Sequence, residues 1–174
     1  MVRALSDVRL KYVEQPVMGI ERLAQVARAI DEPVMADESA WNAHDVLQII
    51  EKGAAQIVSI YTTKPGGLYR ALQVAAVCRA AGIVCNVNGS IESGVGNRAN
   101  VALAAVAEAA ELGNVIPVSR RAEDADGRIG GIYYTDDLLA ASFRFEEGCI
   151  AVPDGPGFGI DVDERRIEQY RLDE

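Results

Sequence analysis

Residues 33–39, with the sequence PVMADES, decide the fold class because a short apolar run ends there in three polar side chains. Residues 11–16, KYVEQP, have the same form, and Pro16 stops the strand. Between them, residues 20–30 place apolar side chains at the spacing of one helical face. The sequence therefore predicts two strands joined by a helix, each strand ending in polar groups.

The same alternation continues through the first two thirds of the chain. Strands are predicted at residues 55–61, 83–88 and 115–118, with helices at 68–81 and 97–112 between them. An earlier helix, before the strand at 55–61, is predicted to be capped by Asn42 and ended by Gly53. One unit takes roughly 25 to 30 residues, which suits parallel strands joined by helical crossovers. The strands are continuous apolar runs, as in a parallel sheet covered by helices. The sequence thus predicts an α/β fold built from repeated βα units.

The last third of the chain changes character. Residues 120–131 are charged and contain glycine, which predicts an exposed loop. Residues 143–159 are rich in turn-forming residues and favour short antiparallel strands or a lid over another βα unit. A short final helix is predicted at residues 163–171.

Composition excludes several classes of protein. With 174 residues, of which 49% are hydrophobic, the chain is long enough for one domain with a sizeable core. No apolar run approaches the ~18 residues of a membrane span, and the N-terminus lacks the apolar core of a signal peptide, so we expect a cytoplasmic protein. A formal net charge of −9 argues against nucleic acid and anionic membranes as partners.

The histidine and cysteine content argues against further kinds of active site. His44 is the single histidine of the sequence. The sequence therefore gives almost no support for a Ser-His-Asp mechanism or a His-rich zinc site. Cys78, Cys85 and Cys149 lack CxxC spacing, and we expect them to be buried free thiols. The polar strand ends are left as the main candidates for chemistry.

Polar side chains collect at the predicted carboxyl ends of the strands. In parallel α/β folds these ends meet at one edge, where such proteins place their chemistry. Carboxylate oxygens from adjacent strands suit Mg²⁺. The alternative is structural: Glu14 could accept a hydrogen bond from a loop, and Asp37 could cap the next helix. The candidates are Glu14, Asp37 with Glu38, Tyr61 with Lys64, Asn86 with Asn88, and Glu92 in the following loop.

Several of these segments, taken in order, resemble one known family. Residues 12–16, 35–39 and 64–67 are similar to successive strand ends of the enolase superfamily, in particular its muconate-lactonizing-enzyme and mandelate racemase-like members. Residues 88–96 resemble the family's later Gly-rich loop containing a Glu, and residues 153–163 resemble its C-terminal signature. The resemblance covers nearly the whole chain.

The resemblance implies a fold and a domain organisation. In that family an α/β capping domain lies over a modified TIM barrel, and this chain corresponds to βα units four to eight of the barrel plus a C-terminal lid segment. Residues 1–119 would form the partial (β/α) barrel. Residues 120–174 would form the C-terminal loop, short strands and helix of the lid or capping region. The first three barrel strands and the third metal ligand would then be absent, so we expect a truncated form.

The resemblance also implies a chemistry. In the family, three carboxylates hold Mg²⁺, which binds the carboxylate of a small substrate while a base removes the α-proton to give an enediolate. Glu14 would be the fourth-strand metal ligand and Asp37 the fifth-strand ligand, with Glu38 orienting a neighbour by a hydrogen bond. With two of three ligands present, we expect a weakly active or inactive fragment of an isomerase of the muconate cycloisomerase or racemase kind.

One position departs from the family pattern. Where many members have a catalytic lysine on the sixth strand, this chain has Tyr61. Tyr61 and Lys64 are the catalytic candidates, although an unperturbed tyrosine pKa near ~10 makes a poor base. Asn86, Asn88 and Glu92 are expected to face the substrate. The substitution weakens the case for two-base racemisation and leaves cycloisomerisation open.

Two alternatives stay open beside the isomerase. One is a dehydratase of a hydroxy or hydroxyamino acid within the same superfamily. The other is a non-catalytic half-barrel that self-associates as a homo-oligomer through exposed barrel edges, or that takes the missing strands from a partner chain.

Overall fold

The computed structural model describes residues 7–117 and 137–172, which form two compact units. Unit 1 combines residues up to Asn88 with residues 106–114, and unit 2 combines residues 89–105 with those from Val115 onward. The predicted boundary at residue 119 and the predicted loop at 120–131 lie outside the described residues.

Unit 1 alternates strands and helices in chain order, as the apolar spacing predicts. Its strands pair in the order β1-β2-β3-β4, and every pairing is parallel. All residues of β2 and β3 are buried, which explains why their sequences are continuous apolar runs. The elements are β1 Val13–Glu14, α1 Ile20–Ala27, β2 Val34–Ala36, α2 Ala43–Lys52, β3 Ile57–Ile60, α3 Leu68–Ala80 and β4 Val84–Val87.

Local signals define the ends of α2. The Asn42 side chain accepts hydrogen bonds from the backbone N–H groups of His44 and Asp45, and the Asp45 carboxylate accepts from the Asn42 N–H in return. Gly53 ends the helix in the left-handed region, with φ 60°. The helix that follows the predicted strand end is therefore capped by Asn42 and not by Asp37, which leaves Asp37 available to the site.

The two edges of the unit 1 sheet differ. Beyond β4, the Cys85 N–H donates to Ala109 O at 2.6 Å, the Leu112 N–H donates to Cys85 O at 3.2 Å, and the Val87 N–H donates to Asn114 Oδ1 at 2.8 Å. On β1, the backbone bonds of Val13 and Gln15 all go inward to β2. Within the described residues, β1 is therefore the open edge.

Unit 2 begins with helix α4, Ser93–Val106. This helix starts and ends earlier than the predicted span of 97–112, and Ser93 enters it with a positive φ of 58°. A hairpin of β5 (Phe145–Glu146) and β6 (Cys149–Ile150) and the short helix α5 (Glu164–Gln169) confirm the predicted antiparallel strands and final helix. At the predicted strand 115–118 the described part contains only a single bridge residue, Val115.

The core of unit 2 is small. Val101 of α4 packs with Leu139 and Phe143, and partly buried aliphatic residues surround them. Leu139 also pairs with Val162 in an isolated antiparallel bridge, which ties the start of the described C-terminal segment to its end. No helix in the described ranges 7–117 and 137–172 has the length and apolar character that crossing a membrane would require.

The three cysteines do not share one environment. Cys78 on α3 and Cys85 on β4 are buried free thiols, as expected. Cys149 lies exposed on β6, so the expectation of burial is wrong for this residue, because β6 belongs to a two-stranded hairpin with little cover.

Candidate functional site

Two carboxylates follow neighbouring parallel strands. Glu14 ends β1 and pairs in register with Met35 of β2, two residues before Asp37. Desolvation raises the pKa of Glu14 above its usual value, the negative charges of Asp37 and Glu38 raise it further, and Lys64 opposes the shift. Within the described part of the chain, the Glu14 carboxylate accepts no hydrogen bond. Glu14, Asp37 and Glu38 therefore form a region of unfavourable negative charge, the electrostatic environment that a cation would relieve.

Gln15 links the two strand ends through its side chain. Its Oε1 accepts from the backbone N–H of Asp37 at 2.8 Å and from that of Ser39 at 3.1 Å. Its Nε2 donates to Val17 O at 2.7 Å and to Ser39 Oγ at 2.8 Å. Because one amide makes all four bonds, the loop that carries Asp37 is held at a fixed place beside Glu14. A positive φ of 34° at Gln15 accompanies this arrangement.

Lys64 is directed at Asp37. Its ammonium donates to Asp37 Oδ1 at 2.7 Å, to Asp37 O at 2.9 Å and to Ser59 O at 2.7 Å. An ammonium has three protons, so these three acceptors use its whole donor capacity. Burial lowers the pKa of Lys64, while the charge and hydrogen bond of Asp37 act in the opposite direction. The side chains of the pair are only 10% and 15% exposed.

Tyr61 lies in a polar network on the same side of the sheet. Its hydroxyl hydrogen-bonds with Ser59 and Asn88, and the Lys64 ammonium lies 4.7 Å from the centre of its ring. Asn88 Nδ2 donates to Ser59 Oγ at 2.8 Å, and Asn86 Nδ2 donates to Asn88 Oδ1 at 2.9 Å. Desolvation raises the pKa of Tyr61 well above its usual value, and the charges of Asp37 and Glu14 add to the shift. The phenol is therefore neutral at physiological pH.

Unit 1 thus brings together most of the predicted site residues. Glu14, Asp37 and Glu38 share one charged region, and Tyr61 and Lys64 adjoin it. Asn86 and Asn88 belong to the Tyr61 network.

Glu92 belongs to unit 2. There, its carboxylate accepts a hydrogen bond from the Ser90 backbone N–H. The roles predicted for all these residues stay predictions.

Two further residues of the site, Gln15 and Ser59, are not predicted from the sequence. Gln15 was treated only as part of a strand end, and Ser59 as an interior strand residue. A polar residue between an acidic strand end and a proline is a weak signal for Gln15. Ser59 precedes Tyr61 by two positions, so the period of a strand places both on one face, and that spacing was readable.

The donor chemistry of the site fits Mg²⁺ in kind but not in number. Carboxylate oxygens are the ligands that Mg²⁺ prefers, and Glu14 has no competing hydrogen bond among the described residues. Asp37 has a second carboxylate oxygen beyond the one that contacts Lys64. The described residues contain no group of three or more acidic, histidine or cysteine side chains arranged to hold a metal.

Comparison with known proteins agrees with this geometry. Residues 1–166 match the family model described as enolase C-terminal domain-like, and the chain belongs to this family. The fold class predicted from the sequence, the C-terminal part of an enolase-superfamily barrel, is thereby confirmed.

Three relatives show how far the similarity extends. Muconate cycloisomerase 1 of Rhodococcus opacus is 33% identical over 97% of this chain and 43% of its own length. N-succinylamino acid racemase of Thermus thermophilus is 28% identical over 98% of this chain and 44% of its own length. The crystal structure of 2-chloromuconate cycloisomerase from Rhodococcus opacus superposes with a TM-score of 0.83 at 26% identity, over 98% of this chain and 43% of that one. The chain thus spans less than half the length of these relatives.

Proposed function

We propose that this chain supplies the C-terminal barrel part of a Mg²⁺-dependent isomerase that removes a proton α to a carboxylate and stabilises the resulting enediolate. The relatives support the class, because their names describe cycloisomerases and a racemase. The observation that carries the proposal is the paired acidic strand end, Glu14 beside Asp37, held by Gln15 and Lys64.

Glu14 and Asp37 would supply two ligands of the metal. When bound, Mg²⁺ stabilises the negative charge that develops on the substrate carboxylate as its α-proton leaves. The remaining ligand would have to come from residues beyond those that unit 1 brings to this edge. Two carboxylates by themselves should bind Mg²⁺ weakly.

Neither Lys64 nor Tyr61 offers a base for the α-proton in this arrangement, so that base would have to come from residues beyond these two. All three protons of Lys64 point to Asp37 and Ser59, so in this arrangement Lys64 orients Asp37 and has no donor left for a substrate. Tyr61 keeps its proton and can donate a hydrogen bond but is a poor base. Opposed bases on both faces of a carbon, which racemisation needs, are not supported by these two residues. Cycloisomerisation fits this set better, and β-elimination of a hydroxy acid is the alternative within the class.

Exchange of the α-proton tests the proposal directly. The purified chain with Mg²⁺ would be incubated in D₂O with N-acyl amino acids, hydroxyprolines and muconates. Deuterium at the α-carbon, in the recovered substrate for the first two classes and in the lactone product for the muconates, would be followed by NMR. We expect slow exchange for one substrate class that Asp37→Asn abolishes, with Glu108→Gln on the exposed surface as the control. Exchange that persists in Asp37→Asn, or that is absent with every substrate, would contradict catalysis by this chain.

A second candidate is a half-barrel that self-associates, and the open edge of β1 favours it. The outer backbone groups of a short parallel edge strand are free to pair with another strand. Residues 109–114 cover the β4 edge, so pairing should use β1. A mass measurement in solution should then show a dimer. Tyr12→Pro should convert it to monomer, because strand alternation points the N–H of residue 12 away from β2, whereas the Val13 N–H donates inward to Pro33 O. A monomeric wild-type chain would rule out association through this edge.

A further inference from the structure

The strongest unexplained feature of unit 1 is a buried acceptor without a donor. Asn86 is 1% exposed, and within the described residues no donor reaches its Oδ1. A buried polar atom left in this state costs about 1 to 3 kcal/mol. Such a cost at a strand end beside the candidate site indicates that Asn86 has a role other than packing.

Asn86 is the first member of a continuous hydrogen-bonded chain. Ser59 of β3 pairs in register with Asn86 of β4, and the period of a strand places Tyr61 and Asn88 on the same face. Asn86 Nδ2 donates to Asn88 Oδ1, and Asn88 Nδ2 donates to Ser59 Oγ, at 2.9 and 2.8 Å. Ser59 hydrogen-bonds in turn with the Tyr61 hydroxyl.

The chain has a direction. Ser59 Oγ already accepts from Asn88, so its own proton is available for the Tyr61 oxygen. Asn88 also hydrogen-bonds with the Tyr61 hydroxyl, and its second Nδ2 proton is available for the same oxygen. With both neighbours donating, the Tyr61 proton is left to point away from the network. In the metal-free chain, the negative charges of Asp37 and Glu14 lie at the Tyr61 end, and they favour an arrangement in which every donor along the network points toward them.

We infer that Asn86, Asn88 and Ser59 form a one-way hydrogen-bond relay that holds Tyr61 as a neutral donor to an anionic oxygen of the substrate. Asn86, Asn88 and Ser59 are positioning residues in this scheme, and Tyr61 is the group that contacts the substrate. The inference rests on the proposed function for the identity of the ligand, a small carboxylate, but the direction of the relay does not depend on it. The Lys64 ammonium, 4.7 Å from the ring centre, holds the phenol in place from one face.

The direction can be measured without any ligand. The full chain would be labelled with ¹³C at the tyrosine Cζ atoms and dissolved in equal parts of H₂O and D₂O, with the Tyr61 signal identified by its loss in Tyr61→Phe. A proton that points to solvent exchanges rapidly, so we expect one averaged Tyr61 signal. Two separate signals, from protonated and deuterated hydroxyl, would show that Tyr61 donates inward to Ser59 and would overturn the relay.

Variants test whether the relay reaches Tyr61. Ser59→Ala should shift the Tyr61 Cζ signal, and Asn86→Leu should shift it in the same direction by a smaller amount. Asn114→Asp is the matched control, because Asn114 uses its Oδ1 only as an acceptor for the Val87 N–H. An unchanged Tyr61 signal in Asn86→Leu, with folding preserved, would show that the far end of the relay has no influence.

Activity measurements distinguish a failure of the relay from a failure of the proposed function. If the wild-type chain exchanges a substrate α-proton in D₂O, Tyr61→Phe should lower the rate about 100-fold and Ser59→Ala about 10-fold. Equal rates in wild type and Tyr61→Phe would overturn the donor role. If the wild type shows no exchange, the proposed function fails for this chain, while the Cζ signal still decides the direction of the relay.

Discussion

The polar strand ends of unit 1 and the C-terminal turn of unit 2 (residues 153–159) use buried charge in different ways. In unit 1, Lys64 and Gln15 hold Asp37 beside Glu14, which itself accepts no hydrogen bond among the described residues. In unit 2, Arg98 is 5% exposed and donates from Nε to Phe158 O at 2.5 Å and from Nη2 to Pro153 O at 2.9 Å. The first arrangement leaves the Glu14 carboxylate without a hydrogen bond among the described residues, whereas the second holds backbone carbonyls in place.

This difference predicts how the stability of each region responds to substitutions. We expect unit 1 to keep its stability when Glu14 is replaced. It should lose stability when Lys64 or Gln15, which hold Asp37 beside Glu14, is replaced. In the turn of unit 2, Gly155 and Gly159 approach each other closely, so its compact backbone should tolerate little added volume.

Removing the Lys64 ammonium should have the largest effect. Lys64→Met leaves the nearly buried Asp37 carboxylate without its partner and Ser59 O without its donor, so we expect a loss of about 3 kcal/mol in the free energy of unfolding. Lys52→Met is the control, because its pair with Glu21 has side chains that are 37% and 72% exposed. Urea unfolding should show a loss below about 0.5 kcal/mol for the control. Equal losses would mean that Lys64 contributes no more than a surface lysine.

Adding one methyl group to the unit 2 turn should have a slightly smaller effect. Gly157 and Gly159 both have a φ of 63°, but a Cβ at Gly157 meets nothing within 4 Å, whereas one at Gly159 lies 2.8 Å from Gly155 N. Gly157→Ala should cost about 1 kcal/mol, the price of the left-handed conformation. Gly159→Ala should cost about 1 to 2 kcal/mol more, because overpacking is added to the same backbone strain.

Amide hydrogen exchange of unit 2 measures both glycine variants. Because both positions have the same φ, the difference in protection between the two variants measures the effect of steric crowding at Gly159. Equal protection in the two variants would show that the turn opens to accommodate the methyl group.

Changing Gln15 tests its link between the strand ends. Gln15→Glu keeps the oxygen that accepts from Asp37 and Ser39 but loses the two donors and adds charge beside Glu14, so we expect a loss of about 1 to 2 kcal/mol. Gln56→Glu is the matched control, since Gln56 is exposed and its Oε1 accepts from the Val34 N–H. In urea unfolding the control should stay within about 0.5 kcal/mol of wild type. A similar loss in both variants would remove the case for Gln15 as a positioning residue.

Neutralising Glu14 should have the smallest effect and the opposite sign. Because the folded-state pKa of Glu14 is raised, the metal-free native state is penalised for carrying this charge, and Glu14→Gln should be more stable at pH 7 by less than about 1 kcal/mol. The penalty arises as pH rises from the ordinary value of 4.5 through the raised folded-state pKa. The advantage of the variant should therefore vanish below that ordinary value.

Thermal unfolding between pH 3 and 8 without metal measures this dependence. Glu32→Gln, whose carboxyl belongs to the loop before β2, is the control and should follow the wild type. A Glu14→Gln variant that is less stable at pH 7 would show that the carboxylate is favourably paired in the folded state.

The pattern of residues predicted the architecture of unit 1 well. Continuous apolar runs and their spacing indicated parallel strands, and Asn42 and Gly53 marked the ends of α2. These features depend on neighbours along the chain, so they can be read locally. The start of α4 was placed too late, because Ser93 enters the helix from a left-handed conformation that no local propensity favours.

By itself, the sequence determined which strands carry acids, that these strands run parallel, and that Tyr61 stands where a lysine is usual. Only the tertiary structure decided what those side chains do with their hydrogen bonds. Lys64 meets Asp37 across 27 positions, and Asn88 meets Ser59 across 29. Such partners are set by strand register and side-chain rotamers, which depend on the packed sheet as a whole. For that reason, the acids could be located from the sequence, while the residues that hold them could not.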